Sequence, residues 1–264
     1  MKLSLAFSPC PNDTFLFHAL VKSLIPHPFT LSVTLADIQH LNELALQGTA
    51  DVCKISFSML AHLDTYCLLP VGAALGHGNG PKIVAERPFP LASLQDKTIA
   101  IPGQGTTAYL LYKLLTPGAG REVFCLYHEI PSLINSGTVD CGLIIHETRF
   151  TLDQNKLVEI CDLGPMWEEH TKLPIPLGGL VAKRSLGSKT IEKVVSCLQS
   201  SLRFAWKNPA ASRSYILQHS QEKNWDVVRS HIDLYVNKET ESLSLKARNA
   251  IELLSRKGGL VKCI

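Results

Sequence analysis

Apolar and polar positions along the chain follow two alternating spacings. Lys2–Phe7, Phe29–Leu35, Asp51–Ser56 and Lys82–Ala85 are short runs rich in Leu, Ile, Val and Phe, with the length and content of buried strands. Between them, Thr14 to Lys22 and Ile38–Leu46 carry apolar residues at helical spacing, with Leu41, Leu44 and Ala45 on one face. The segment Arg87-Pro88-Phe89-Pro90 breaks regular structure, and a second set of units follows it. That set comprises strands at Thr98–Ile101, Val123–Tyr127, Cys141–Ile145 and Leu157–Ile160, with helices at Thr107–Leu115 and Pro131–Ser136. Beyond Pro174-Ile175-Pro176, the apolar run Leu177–Ala182 carries the chain back across. From Thr190 the pattern is helical, broken at Lys207-Asn208-Pro209 and closed at Gly258-Gly259.

Strands alternating with helices predict an α/β fold with largely parallel sheets. The break and the return predict two lobes with a ligand cleft between them. Residues 1–94 would form lobe one, 95–175 an inserted lobe two, and 176–264 the return to lobe one with C-terminal helices.

Composition narrows the function. A net charge of +3, without a Lys/Arg stripe or interleaved aromatics, argues against nucleic acid and leans only slightly toward a small anion. No apolar stretch reaches membrane-spanning length, and Met1–Pro9 lacks the pattern of a signal peptide. The 8 cysteines are scattered, without Cys-x-x-Cys or matching His pairs. Neither disulfides nor a metal site is therefore expected, and a reducing cytoplasm is. Oligomeric state is not legible.

Four segments bear chemistry. In Ser8-Pro9-Cys10-Pro11-Asn12-Asp13-Thr14-Phe15, two prolines fix a turn and Asn12 or Asp13 can cap the next helix. Such a turn is either purely structural or leaves helix amides free for an anion. Pro102-Gly103-Gln104-Gly105-Thr106-Thr107-Ala108 superficially fits a dinucleotide fingerprint. Its paired threonines at a helix start suit a carboxylate at least as well as a pyrophosphate. Gly76-His77-Gly78-Asn79-Gly80 reads as a flexible connection near the cleft. In Gly142-Leu143-Ile144-Ile145-His146-Glu147-Thr148-Arg149, an apolar strand ends abruptly in His, Glu and Arg. His146 is placed to exchange protons, Glu147 to tune it and Arg149 to pair with a carboxylate. The alternative is a capped strand end with solvated charges. Lys54, in Lys54-Ile55-Ser56, is either a point charge for an anion or a surface lysine.

SPCPNDTF at 8–15, KIS at 54–56, PGxxTTAY at 102–109 and GLIIHETRF at 142–150 together resemble one family, the 1,4-dihydroxy-6-naphthoate synthases of the futalosine route to menaquinone. Trp167-Glu168-Glu169 and Leu173–Gly178 extend the resemblance over most of the chain. It implies a periplasmic-binding-protein type II fold used as an enzyme. It also implies a cofactor-independent carbon–carbon lyase that splits cyclic de-hypoxanthine futalosine into 1,4-dihydroxy-6-naphthoate and a dihydroxyfuranone. His146 would be the proton acceptor, and Lys54, Ile55, Ser56, Thr106 and Thr107 would line the substrate pocket. Ser8, Asn12, Asp13, Glu147 and Arg149 are further candidates. Gln104-Gly105 is smaller and less basic than the pair expected in that loop. A non-catalytic carboxylate-binding protein and chorismate dehydratase share the fold; the second is not expected to carry SPCPNDTF together with GLIIHE.

Overall fold

The computed structural model, described here for residues 1–153 and 156–260, builds two β-sheets joined by two chain crossings. The first sheet takes β1 (Lys2–Phe7), β2 (Thr30–Leu35), β3 (Val52–Ser56), β4 (Tyr66–Leu68) and β5 (Ala74–Gly76). The chain then crosses to the second sheet, formed by β6 (Lys82–Ala85), β7 (Thr98–Ile101), β8 (Arg121–Phe124), β9 (Cys141–Ile144) and β10 (Val158–Asp162). It returns as β11 (Ile175–Lys183), which inserts between β3 and β4 and also pairs with β5.

Ten α-helices pack around these sheets among the described residues: α1 (Pro11–Val21), α2 (Ile38–Leu46), α3 (Thr107–Leu115), α4 (Ile130–Asn135), α5 (Leu163–Thr171), α6 (Ser188–Lys207), α7 (Pro209–His219), α8 (Trp225–Tyr235), α9 (Lys238–Glu241) and α10 (Leu245–Leu260). None is long and apolar enough to cross a membrane.

The sheets are mixed rather than largely parallel. β1 runs parallel to β2 and β3, and β7 to β8 and β9, but β6, β10 and β11 run antiparallel to their neighbours. These are the strands at which the chain enters or leaves a lobe, and a chain that crosses over has to come back. Lys82–Ala85, read from sequence with lobe one, pairs in the second sheet. A local apolar run specifies a strand but not its partner. The last helix continues through Gly258-Gly259 rather than closing there.

Burial joins these elements face to face. Leu3, Leu5 and Phe7 of β1 meet Phe15, Leu16 and Leu20 of α1 and Leu198 and Leu202 of α6. The rings of Phe7 and Phe17 stack with centroids 4.0 Å apart. On the opposite face, Leu41 and Ala45 of α2 close over Cys53, Ile55 and Val181. In the second lobe Ile99, Ile101 and Leu143 pack with Leu110, Leu111 and Trp167, and α10 adds Ala247, Ile251 and Leu254. Each such large side chain contributes roughly 1.5–3 kcal/mol relative to exposure.

Helix α1 begins three residues before its expected start at Thr14. Pro11, preset to helical φ, occupies the first turn, and Cys10 rather than Asn12 or Asp13 stands at the N-cap, with no side-chain cap bond. The crossing at 76–80 is also tighter than its glycines predict. A Cβ on Gly164 would lie 2.2 Å from the carbonyl carbon of Asn79, and one on Gly80 would lie 2.6 Å from the amide of Gly164. These glycines serve close backbone approach between the outgoing and returning crossings rather than flexibility.

Candidate active site

A cleft of about 740 Å³, counting its open mouth, separates the sheets at the ends of β1, β3 and β9 and the start of α3. Ser8, Asn12, Asp13, Lys54, Ser56, Thr106, Thr107, His146 and Arg149 all line it. Residues of four segments, from Ser8 to Arg149, thus meet in one cleft.

The wall built from β1, α1 and β3 is held by a buried ion pair. Asp13 Oδ1 lies 2.8 Å from Lys54 Nζ, and both side chains are almost fully buried. The other carboxylate oxygen accepts from Ser8 Oγ at 2.6 Å and from the Ser8 amide at 3.3 Å. Asn12 Nδ2 donates to Asp13 Oδ1 at 3.0 Å, and Lys54 Nζ donates to the Gly72 carbonyl at 3.0 Å. Lys54 is therefore neither a surface lysine nor a free cation, because Asp13 already balances its charge.

Ser56 faces the cleft two residues on and is fixed by Asn42, whose Oδ1 accepts from the Ser56 amide at 2.8 Å. Ile55 between them points the other way. It is fully buried in the apolar layer under α2, since successive strand residues face opposite sides. Its expected place in the pocket is thereby corrected.

Opposite stands the first turn of α3. Thr106 is its N-cap, with Oγ1 accepting from the Tyr109 amide at 3.1 Å and donating to the Gly103 carbonyl at 2.8 Å. Thr107 Oγ1 donates to the Leu177 carbonyl at 2.7 Å. Both hydroxyls are already engaged, so an anion would meet the first-turn amides of Thr107 and Ala108, which have no acceptor within the helix. Gly105 turns its carbonyl to Asn42 and Ser58 and its amide to Gln39. Any Cβ there would press on Met59, Gln39 and Asn42 at 3.1–3.3 Å, which accounts for a small residue in this loop.

His146 follows β9 with φ of +59°, a left-handed conformation that non-glycine residues seldom adopt. The turn swings its ring toward α1, where Nδ1 lies 3.2 Å from Cys10 Sγ, and Tyr127 meets it edge-on at 4.8 Å. The ring keeps some surface toward the cleft but lies deep in the molecule. Desolvation drives its pKa down to about 4; Asp13 opposes this and Lys54 adds to it. His146 is therefore neutral at neutral pH. Burial also pushes the Cys10 thiol well up, so its sulfur retains its proton.

Glu147 is buried beneath the cleft and does not line it. Neither carboxylate oxygen has a partner of good hydrogen-bond geometry among the described residues, although the backbone amides of Glu147 and Glu222 come near. Burial raises its pKa. Arg149 lines the cleft but is committed within the protein. It donates to the Gly80 carbonyl at 3.0 Å and the Tyr235 hydroxyl at 2.9 Å, and reaches Asp162 at 3.3 Å. It therefore ties both crossings to α8 rather than waiting for a carboxylate.

Residues 3–259 match the family model for menaquinone biosynthesis. The chain is 42% identical over 261 residues to a 1,4-dihydroxy-6-naphtoate synthase of Streptomyces coelicolor, covering 96% of this chain and 92% of the relative. It is 41% identical over 236 residues to the protein of that name from Thermus thermophilus, covering 89% and 86%. The chain belongs to the menaquinone biosynthesis family. A protein from Archaeoglobus fulgidus has the same architecture at a TM-score of 0.93, with 31% identity and 98% of each chain covered. The alkanesulfonate-binding protein SsuA from Xanthomonas axonopodis superposes at 0.73 with 14% identity, covering 100% of this chain and 95% of its own. At that identity the likeness shows the fold alone, the two-lobed one of periplasmic binding proteins.

This menaquinone biosynthesis family member also has residues in or against the cleft that sequence reasoning missed. Cys10, which meets the His146 ring without lining the cleft, was not singled out, and neither were His231 and Tyr235 of α8, which both line it. Their signal was available. On an amphipathic helix they share the buried face of Val228 and Ile232, where a His and a Tyr at i and i+4 stand out.

Proposed function

We propose that this chain is a 1,4-dihydroxy-6-naphthoate synthase, a carbon–carbon lyase acting on cyclic de-hypoxanthine futalosine, with His146 as proton acceptor. The observation that carries this reading is the strained, neutral His146 closing the same cleft as the first turn of α3, in a chain of this family. Neutral imidazole is the form a base requires. To accept a proton through Nε2, the ring keeps its own hydrogen on Nδ1 and donates it to the Cys10 sulfur. The α3 amides hold the substrate carboxylate or the developing enolate. Proton removal beside a carbonyl then allows the hydroxylated ring fragment to be expelled while the remaining ring becomes aromatic.

On this reading Lys54 and Asp13 form the rigid floor, and Ser56 faces the substrate. The chemistry calls for positioning, one base and exclusion of water, and for no electron carrier. A small carboxylate-bearing substrate is the partner, the cytoplasm is the setting, and the two lobes correspond to the two sheets.

The test is incubation of the purified protein, without added cofactor, with cyclic de-hypoxanthine futalosine. Appearance of the naphthoate by chromatography and absorbance is the expected result. Tight binding without product would assign the cleft to a binding protein and overturn the lyase reading.

A further inference from the structure

His231 is 1% exposed, lines the cleft from α8, and sits with its ring centroid 6.4 Å from that of His146. Its Nε2 lies 3.1 Å from Asn12 Oδ1, while its Nδ1 is buried without a hydrogen-bond partner among the described residues. The tautomer of this ring is dictated from the far end of a chain of contacts. Asp13, in its ion pair with Lys54, offers only acceptors, so the Asn12 group 3.0 Å from Asp13 must be the amide nitrogen. That turns the Asn12 oxygen toward His231, whose Nε2 must then carry hydrogen and donate. The lone pair is left on Nδ1. A second proton is opposed by burial first, and by His146, Arg149 and Lys54 nearby.

We infer that His231 is a substrate-binding residue whose Nδ1 accepts a hydrogen bond from a hydroxyl group of the substrate. The assignment rests on the lyase reading above and names the part of the substrate that this side of the cleft recognises: the hydroxylated, sugar-derived ring rather than the carboxylate. An anion would gain nothing from an unprotonated nitrogen, whereas a hydroxyl supplies the missing donor. The preset tautomer also divides the two cleft histidines. His146 faces a thiol that can donate or accept, while His231 is locked by an amide oxygen into a single role.

Two measurements test this. The ring ¹⁵N shifts of His231 in the ligand-free protein should report a neutral ring with hydrogen on Nε2, and the Nδ1 resonance should move when the dihydroxyfuranone is added. An Nδ1–H tautomer, an imidazolium, or an Nδ1 resonance indifferent to the hydroxylated ring overturns the assignment, whether or not the protein is a lyase. In kinetics, His231→Gln keeps a donor toward Asn12 and removes the Nδ1 acceptor, whereas His231→Asn keeps an acceptor near the Nδ1 position. His231→Gln should raise KM about ten- to hundredfold, with His231→Asn closer to wild type, as expected when one partner of a buried hydrogen bond is removed. A substrate analogue lacking a ring hydroxyl should bring wild type and His231→Gln to the same KM. A structural role would instead leave the two proteins equally sensitive to the missing hydroxyl, and that result would refute the inference. Failure of the wild-type protein to turn over the parent substrate would count against the lyase reading, and the shift data would then decide His231 alone.

Discussion

The two sides of the cleft are built on opposite terms. On the side of α1 and β3, the charged side chains have met their partners: Asp13 holds Lys54 and Ser8, Asn12 holds Asp13, and Lys54 also reaches the Gly72 carbonyl. On the side of β9, His146 sits at a costly φ and Glu147 is buried without a well-formed hydrogen bond. The first side spends its polarity on rigidity. The second spends Arg149 on Gly80, Tyr235 and Asp162 but leaves a neutral imidazole at its edge, which is the condition for taking up a proton from something else.

Removing His146 cuts this contrast most deeply. His146→Asn, a residue that tolerates left-handed φ, should fold with an unchanged thermal midpoint and lose about 10²–10⁴-fold in kcat, the range for a lost general base. Wild-type turnover in that variant would move the chemistry elsewhere in the cleft. Next in size is the opposite wall. Asp13→Ala leaves Lys54 buried without its counter-charge and should cost about 3–5 kcal/mol in denaturant unfolding. The double variant Asp13→Leu with Lys54→Met should recover much of that loss, because no charge then remains buried. Equal destabilisation by the single and double changes would show that the pair matters for shape, not charge.

Acidity probes the contrast more gently. With its folded pKa near 4, His146 is in base form throughout the neutral range, so kcat should show no inflection at the usual histidine value near 6.5 and should fall only as pH approaches 4. The sign for stability is the same. An unfolded His146 takes up a proton below about 6.5 and the folded one does not, so its contribution is complete above that pH and is lost as pH falls toward 4. An inflection of kcat near 6.5 would mean that substrate binding restores the ordinary pKa. The smallest effect belongs to Glu147. Its folded pKa is raised, so the native state favours the protonated carboxyl and loses stability as pH rises through the unfolded value. Glu147→Gln keeps the shape and removes that cost, and should leave the melting temperature at pH 7.5 unchanged or slightly higher. A large fall would reveal an ionised, working carboxylate.

Much of this architecture was legible because local patterns specify local structure. The ends of α2 and α3 and of the strands Lys2–Phe7, Lys82–Ala85 and Thr98–Ile101 fall where apolar spacing puts them. The short strands at Tyr66–Leu68 and Ala74–Gly76 escaped, as three-residue elements offer no period to detect, and α5 escaped behind its internal Gly164-Pro165. In the site, residue type singled out His146, which lines the cleft, while pairing could not be read. That Lys54 is neutralised by Asp13, or that Arg149 is used up on Gly80, Tyr235 and Asp162, depends on contacts across 13 to 86 positions of chain. Ile55 shows the reverse error: a motif read as a block conceals the alternation of a strand.

Strand β11 carries a consequence for how the protein is made. It lies between β3 and β4 in the first sheet, yet it is translated after the whole second sheet. At synthesis rates of about 5–20 residues per second, the inner edge of β3 waits several seconds or more for the strand that will cover it. During that interval the emerging lobe offers an unpaired, apolar strand edge to whatever is near, the exposure that invites association between nascent chains. The topology that creates a cleft thus gives the ribosome-bound chain its most vulnerable moment, and ties completion of the first lobe to prior emergence of the second.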